Sequence, residues 1–176
     1  MSRIYVMVWL LPILFMIHDF EEIIMLKPCQ KRNQAYFVKK GYRQYPFNYP
    51  ESTSAFSIAV LEEFILASLV ALISSFTGQV ILWYGVFFAF TLHLLFHLIT
   101  AVKIKRYIGS TFTSIVLLLP CCYILYDSIM YIPTEPVNIA LACIVCSVFT
   151  FANVYALIKL IPVFEYFLVA FSKGGD

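Results

Sequence analysis

Seven ionisable side chains lie where the surrounding sequence is apolar. His18, Glu21 and Glu22 fall in PILFMIHDFEEIIML (residues 12–26), Glu62 and Glu63 in AVLEEFILA, and His93 and His97 in TLHLLFHLIT. They include all 3 histidines of the chain. His18 and Glu21 are spaced i,i+3; His18 and Glu22, and His93 and His97, are spaced i,i+4. On a helix such pairs share a face and can point at one atom. Imidazole and carboxylate together make a ligand set for zinc, iron or manganese. Four clustered carboxylates repel one another, and a polyvalent cation is the simplest remedy.

Glu62 and Glu63 are about 100° apart on a helix, so they cannot face the same point equally. Glu63 shares a face with Ala59, Ala67 and Ser74, and small residues mark close helix packing in membranes. The expected metal ligands are therefore His18, Glu21, Glu22, Glu63, His93 and His97. Glu22 and Glu62 are the candidate catalytic carboxylates. Asp19 is expected to point away from His18, orienting a ligand or reaching the cytoplasmic interface. Asp127, in YDSIMY, is expected at the outer end of its helix, apart from this cluster.

The elements that must position these groups are membrane helices. The chain has 176 residues, of which 62% are hydrophobic and 12% charged, against about 25% charged in soluble domains. Its mean hydropathy is +0.88. Apolar runs at 4–26, 56–76, 79–102, 111–131 and 137–158 are each near the ~20 residues a helix needs to cross hydrocarbon. Strands with alternating polarity, as in a barrel, are absent from the pattern. The fold expected is all-α: one polytopic bundle of five spanning helices. A short C-terminal interfacial or re-entrant segment, LIPVFEYFLVAF, follows, broken at Pro162 and Glu165. The first apolar run lacks the small-residue cleavage site of a signal peptide and is expected to be retained.

Orientation follows from the basic residues. Lys27, Lys31, Arg32, Lys39, Lys40 and Arg43 lie in the 27–55 connection, Lys103, Lys105 and Arg106 after the third helix, and Lys159 and Lys173 in the tail; only Arg3 is left for the other side. The N-terminus is then outside and the 27–55 loop cytoplasmic, in what is expected to be a bacterial cytoplasmic membrane. This orientation brings the polar groups of the first three helices to one depth, in the cytoplasmic leaflet. The tyrosines and basic residues of the 27–55 loop fit lipid headgroups better than nucleic acid. Cys143-x-x-Cys146 has redox spacing but lies in an apolar run, where cysteine is a common small filler. No internal repeat is visible.

Lys103, Lys105 and Arg106 precede GSTFTS (residues 109–114), the start of the fourth helix. A helix N-terminus offers free N–H groups to an anion. Ser110 and Thr111 with the three basic residues form a candidate site for an anionic lipid headgroup, against the plainer reading of a Ser/Thr cap beside positive-inside charge.

HDFEE at 18–22, followed by LEEF and HLLFH, resembles the HXXEE-domain family of bacterial integral membrane proteins over roughly residues 4–131. The resemblance implies a membrane protein and groups these motifs, without implying an activity. The chemistry read from the residues is that of a membrane metalloenzyme with two metal ions, iron or manganese, with zinc the alternative. Its substrate would be a membrane lipid or other hydrophobic small molecule, hydroxylated or desaturated. A zinc-dependent hydrolase or acyl transferase is the alternative enzyme, and a non-enzymatic ion- or proton-binding protein (transporter, sensor or immunity protein) the alternative class. No nucleic-acid partner is expected.

Overall fold

The computed structural model describes residues 3–40 and 52–174. The described residues form five helices and no strand: α1 (Arg3–Lys39), α2 (Thr53–Thr77), α3 (Ile81–Ile104), α4 (Thr111–Ser128), which continues into a 3-10 turn (Ile129–Tyr131), and α5 (Pro136–Lys173). All five, the fourth counted with its 3-10 turn, are long and apolar enough to cross a membrane. The bundle is all-α, as the apolar runs require.

Local chemistry sets several of the ends. Ser52 caps α2, its hydroxyl accepting from Ala55 N at 3.1 Å. Gly78, at φ 71°, closes the same helix by donating its N–H to Ser74 O, a left-handed turn that glycine adopts without a Cβ penalty. Pro136 opens α5 at a position where its missing N–H costs nothing.

Two helices run further than the apolar pattern indicates. α1 passes through Pro28 and continues to Lys39, so most of the first half of the expected 27–55 loop is helix. The reason is a buried stripe, Glu22, Leu26, Cys29, Asn33 and Phe37, recurring every three or four residues. Asn33 Nδ2 donates to Tyr107 O at 2.9 Å, and the Arg106 guanidinium lies 4.7 Å from the centre of the Tyr36 ring. Both contacts hold this extension against the α3–α4 connection. Residues 41–51 of the expected loop, with Tyr42, Arg43, Tyr45, Phe47 and Tyr49, lie outside the described residues.

The C-terminal stretch is likewise no separate segment: α5 continues through Pro162 to Lys173. Leu157 and Ile161, with Phe164 and Leu168, form a stripe that packs on Ala55, Phe56 and Ala59 of α2. That packing outweighs the one hydrogen bond lost at the proline.

The main core lies among α1 to α4 around Val8, Leu11, Trp83, Phe87, Leu94 and Cys121. Trp83 Nε1 donates to Val8 O at 3.0 Å, so the buried indole is satisfied. Arg3 pairs with Asp127 at 3.1 Å, at the end of the bundle away from the histidines. Cys143 and Cys146 are free thiols on α5. Cys146 packs where α5 crosses Gly85 of α3: a Cβ on Gly85 would lie 2.7 Å from Cys146 Sγ and 2.8 Å from Ala142 O. Because one contact is backbone, the helices would have to separate. Gly85→Leu is expected to destabilise the bundle by about 1–3 kcal/mol, read as a lower unfolding midpoint in detergent; an unchanged midpoint would contradict this close crossing.

Candidate metal centre

The site forms where the α1 motif meets the first turn of α4. Residues 105–110 turn the chain from α3 into α4, with Lys105 at φ 54° and Ser110 at φ 68°. Left-handed backbone at a non-glycine residue costs about 1–2 kcal/mol. At Ser110 that conformation accompanies a fully buried hydroxyl placed between two side chains of the site. Ser110 Oγ lies 2.8 Å from Glu22 Oε1 and 2.9 Å from His97 Nδ1.

Glu21 meets α4 directly. Its Oε1 accepts from Phe112 N at 3.1 Å, and its Oε2 from Thr113 N at 2.6 Å and Thr113 Oγ1 at 2.5 Å. The Tyr107 hydroxyl also donates to Oε1. The carboxylate thus satisfies two of the free N–H groups at the start of α4 and faces the positive end of its dipole. Burial, and then the hydrogen bond to Glu21, raise the Tyr107 phenol above its ordinary pKa, so it stays a donor.

These contacts indicate which nitrogen of His18 carries the proton. An ionised carboxylate only accepts hydrogen bonds. Thr113 Oγ1 gives its single proton to Glu21, so it must accept at His18 Nδ1, 2.9 Å away. His18 then donates through Nδ1–H and carries a lone pair on Nε2. At His97 the Ser110 hydroxyl bridges Nδ1 and Glu22 Oε1, while Nε2 meets both His93 Nε2 and Glu22 Oε1, so either ring nitrogen has a partner for its proton. The His18 tautomer is assigned from the network. Two parallel relays result, His18–Thr113–Glu21 and His97–Ser110–Glu22.

The ring nitrogens opposite these two hydroxyls turn toward the same place. One nitrogen from each of His18, His93 and His97 lies within 4.8 Å of the others. His97 Nε2 is 2.9 Å from His93 Nε2 and 3.2 Å from Glu22 Oε1. His18 is fully buried, and its Nε2 has no hydrogen-bond partner. A cavity of about 230 Å³ opens beside the cluster. Asp19, Glu22, Glu63, His93 and His97 form its polar end, and side chains of α2 and α5 such as Val60, Leu157 and Ile161 its apolar walls.

Residues 9–125 match the family model described as "Protein of unknown function with HXXEE motif". The chain belongs to the HXXEE family. His18, Glu21 and Glu22 are the lettered positions of the motif. No curated protein and no solved structure matches the chain.

In this HXXEE protein the expected residues divide. His18, His93, His97 and Glu22 come together, and Glu63 joins them across the cavity. Glu21 is held at the α4 N-terminus rather than among the histidine nitrogens. Glu62 turns to α5, where its Oε2 accepts from Asn153 Nδ2 at 3.0 Å, and it does not line the cavity. The candidate headgroup site is not assembled, because the α4 N–H groups it needs are taken by Glu21. Lys103, Lys105 and Arg106 are exposed, and Thr111 Oγ1 bonds within its own turn to Ile108 O at 2.7 Å.

Asp19 does not point away from the site: it is 3% exposed and lines the cavity. Its i,i+3 spacing to Glu22 was the available signal. Thr113 and Tyr107 carried no sequence signal as partners of the motif. Glu21→Gln is expected to cost about 1–3 kcal/mol, because an amide cannot accept from all of these donors. Glu62→Gln is expected to cost less than about 1 kcal/mol, since it keeps an acceptor for Asn153. Chemical unfolding of both variants in detergent checks the order.

Proposed function

We propose that this HXXEE protein is an integral membrane metalloenzyme. His18, His93 and His97 hold a metal ion through Nε2, beside a cavity that admits a hydrophobic substrate. The observation that carries this reading is the convergence of three imidazole nitrogens within 4.8 Å. Two of them are steered by a hydroxyl on the opposite nitrogen. Metal-bound histidines are commonly fixed in this way through the second ring nitrogen. Metal–nitrogen bonds of about 2.0–2.1 Å place tetrahedral ligand atoms ~3.3 Å apart, so a small inward movement completes the site. Glu22, 3.2 Å from His97 Nε2, is the adjacent carboxylate, as ligand or proton acceptor.

The α1 extension and the α3–α4 connection, both basic, lie at one end of the bundle. By the positive-inside bias that end is cytoplasmic and the N-terminus outside. The apolar walls suit an alkyl or isoprenoid chain entering from the bilayer. This favours oxidation of a C–H bond over hydrolysis. In balanced form, R–H, dioxygen, two electrons from an external reductant and two protons give R–OH and water. A bound iron or manganese ion supplies the redox chemistry. The chain's own residues hold His18 in one tautomer, exclude water along the apolar walls and keep Glu22 available for a proton. The ligand set of three histidines beside a glutamate also suits a zinc hydrolase with Glu22 as general base.

Elemental analysis of the purified protein and of His18→Ala and His97→Ala tests the reading. Iron or manganese in the wild type, lost in both variants, is the expected result. Zinc in its place moves the reading to hydrolysis. Wild-type protein that is folded but binds no metal would overturn it in favour of a non-enzymatic proton-binding network. Thr113→Val and Ser110→Ala, which remove the relays but leave the imidazoles, are expected to weaken metal affinity about 10–100-fold, measured by competition with a chelator.

A further inference from the structure

The histidine cluster leaves the carboxylates of the cavity unexplained. Asp19, Glu22 and Glu63 line it together, from α1 and α2. Asp19 is 97% buried (3% exposed), and its Oδ2 has no hydrogen-bond partner. Glu63 Oε1 is also buried without a partner. Among the described residues, no lysine or arginine lines the cavity. The positive end of α4 is occupied by Glu21 and does not offset these acids. An ionised carboxylate removed from water without a partner costs several kcal/mol. Asp19 and Glu63 are two such carboxylates, and with Glu22, whose Oε1 already meets Ser110 and His97, their charge outweighs one divalent ion at the histidines.

We propose that Asp19 and Glu63 hold a second metal ion, distinct from the histidine-bound one, with Glu22 between the two. Glu22 fits that position because it lines the cavity while its Oε1 lies 3.2 Å from His97 Nε2. A carboxylate bridges ions about 3.5–4 Å apart, the separation found in two-metal sites. Oxygen ligands alone select a hard cation such as Mn²⁺, Mg²⁺ or ferrous iron, whereas the imidazole site also accepts zinc. The second ion borders the apolar cavity, so a substrate carbon reaching the polar end meets it together with His93. The inference extends the histidine reading but uses different side chains, and the two can fail separately.

The test is Mn²⁺ binding to chelator-stripped protein in detergent, followed by equilibrium dialysis and electron paramagnetic resonance. Wild type is expected to bind two equivalents, the signal of isolated Mn²⁺ weakening as the ions couple. Asp19→Asn combined with Glu63→Gln, changes that preserve shape, is expected to bind one equivalent with the isolated-ion signal intact. Glu62→Gln is expected to keep two. One equivalent in the wild type, lost in His18→Ala but unchanged in the Asp19/Glu63 variant, would overturn the second site and leave the histidine site standing. One equivalent lost in the Asp19/Glu63 variant but kept in His18→Ala would support the carboxylate site and overturn the histidine reading. Two equivalents retained in the Asp19/Glu63 variant would overturn the assignment to these residues.

Discussion

Glu21 at the first turn of α4 is the contact on which the site's geometry depends. A helix start buried against another helix must find acceptors for its free N–H groups. Here they come from a carboxylate in the middle of α1. That contact places Thr113 beside His18 and Ser110 beside Glu22 and His97. One electrostatic requirement therefore sets the register of α1 against α4 and places a hydroxyl against two imidazoles. The motif spacing follows from the same geometry. His18 and Glu21 lie one turn apart and reach Thr113 together, and Glu22, one residue further round the helix, faces the cavity.

The surroundings make this arrangement unforgiving. Side chains on the outer faces of the bundle are apolar, as expected of helices that meet hydrocarbon. Polar groups inside must satisfy one another or share a cation. Glu21 and Glu62 are satisfied by protein donors. His18 Nε2, Asp19 Oδ2 and Glu63 Oε1 are not. The apolar walls contributed by α2 and α5 give the same place a lipid-like side. α5 owes its position there to Gly85, which lets it approach α3 closely, and to the stripe that carries it past Pro162 along α2.

How far the sequence could be read depended on the kind of signal. Apolar runs of spanning length gave the helices, because hydrocarbon demands internally bonded backbone and long apolar stretches. They did not give the ends of α1 and α5. Beyond the apolar run a helix persists through side packing, and the Leu26–Cys29–Asn33–Phe37 stripe reads as polar sequence until its partner, the Tyr107 turn, is known. Prolines 28 and 162 look like breaks for the same reason: the cost of one lost hydrogen bond is local, whereas the packing that outweighs it comes from elsewhere in the chain.

The sequence by itself determined that the protein is an α-helical bundle carrying a polar cluster. It also paired His18 with Glu21 and Glu22, and His93 with His97, since i,i+3 and i,i+4 spacings are properties of one helix. Tertiary structure alone decided whether Glu21 or Glu22 joins the histidines. Neighbouring residues such as Glu21 and Glu22, or Glu62 and Glu63, are about 100° apart on a helix. Which of each pair faces the cavity depends on how the helix is rotated. That rotation is set by contacts made with α4 and α5, nearly a hundred residues along the chain; the small-residue face of α2 recorded it for Glu63, but no local pattern recorded it for Glu22.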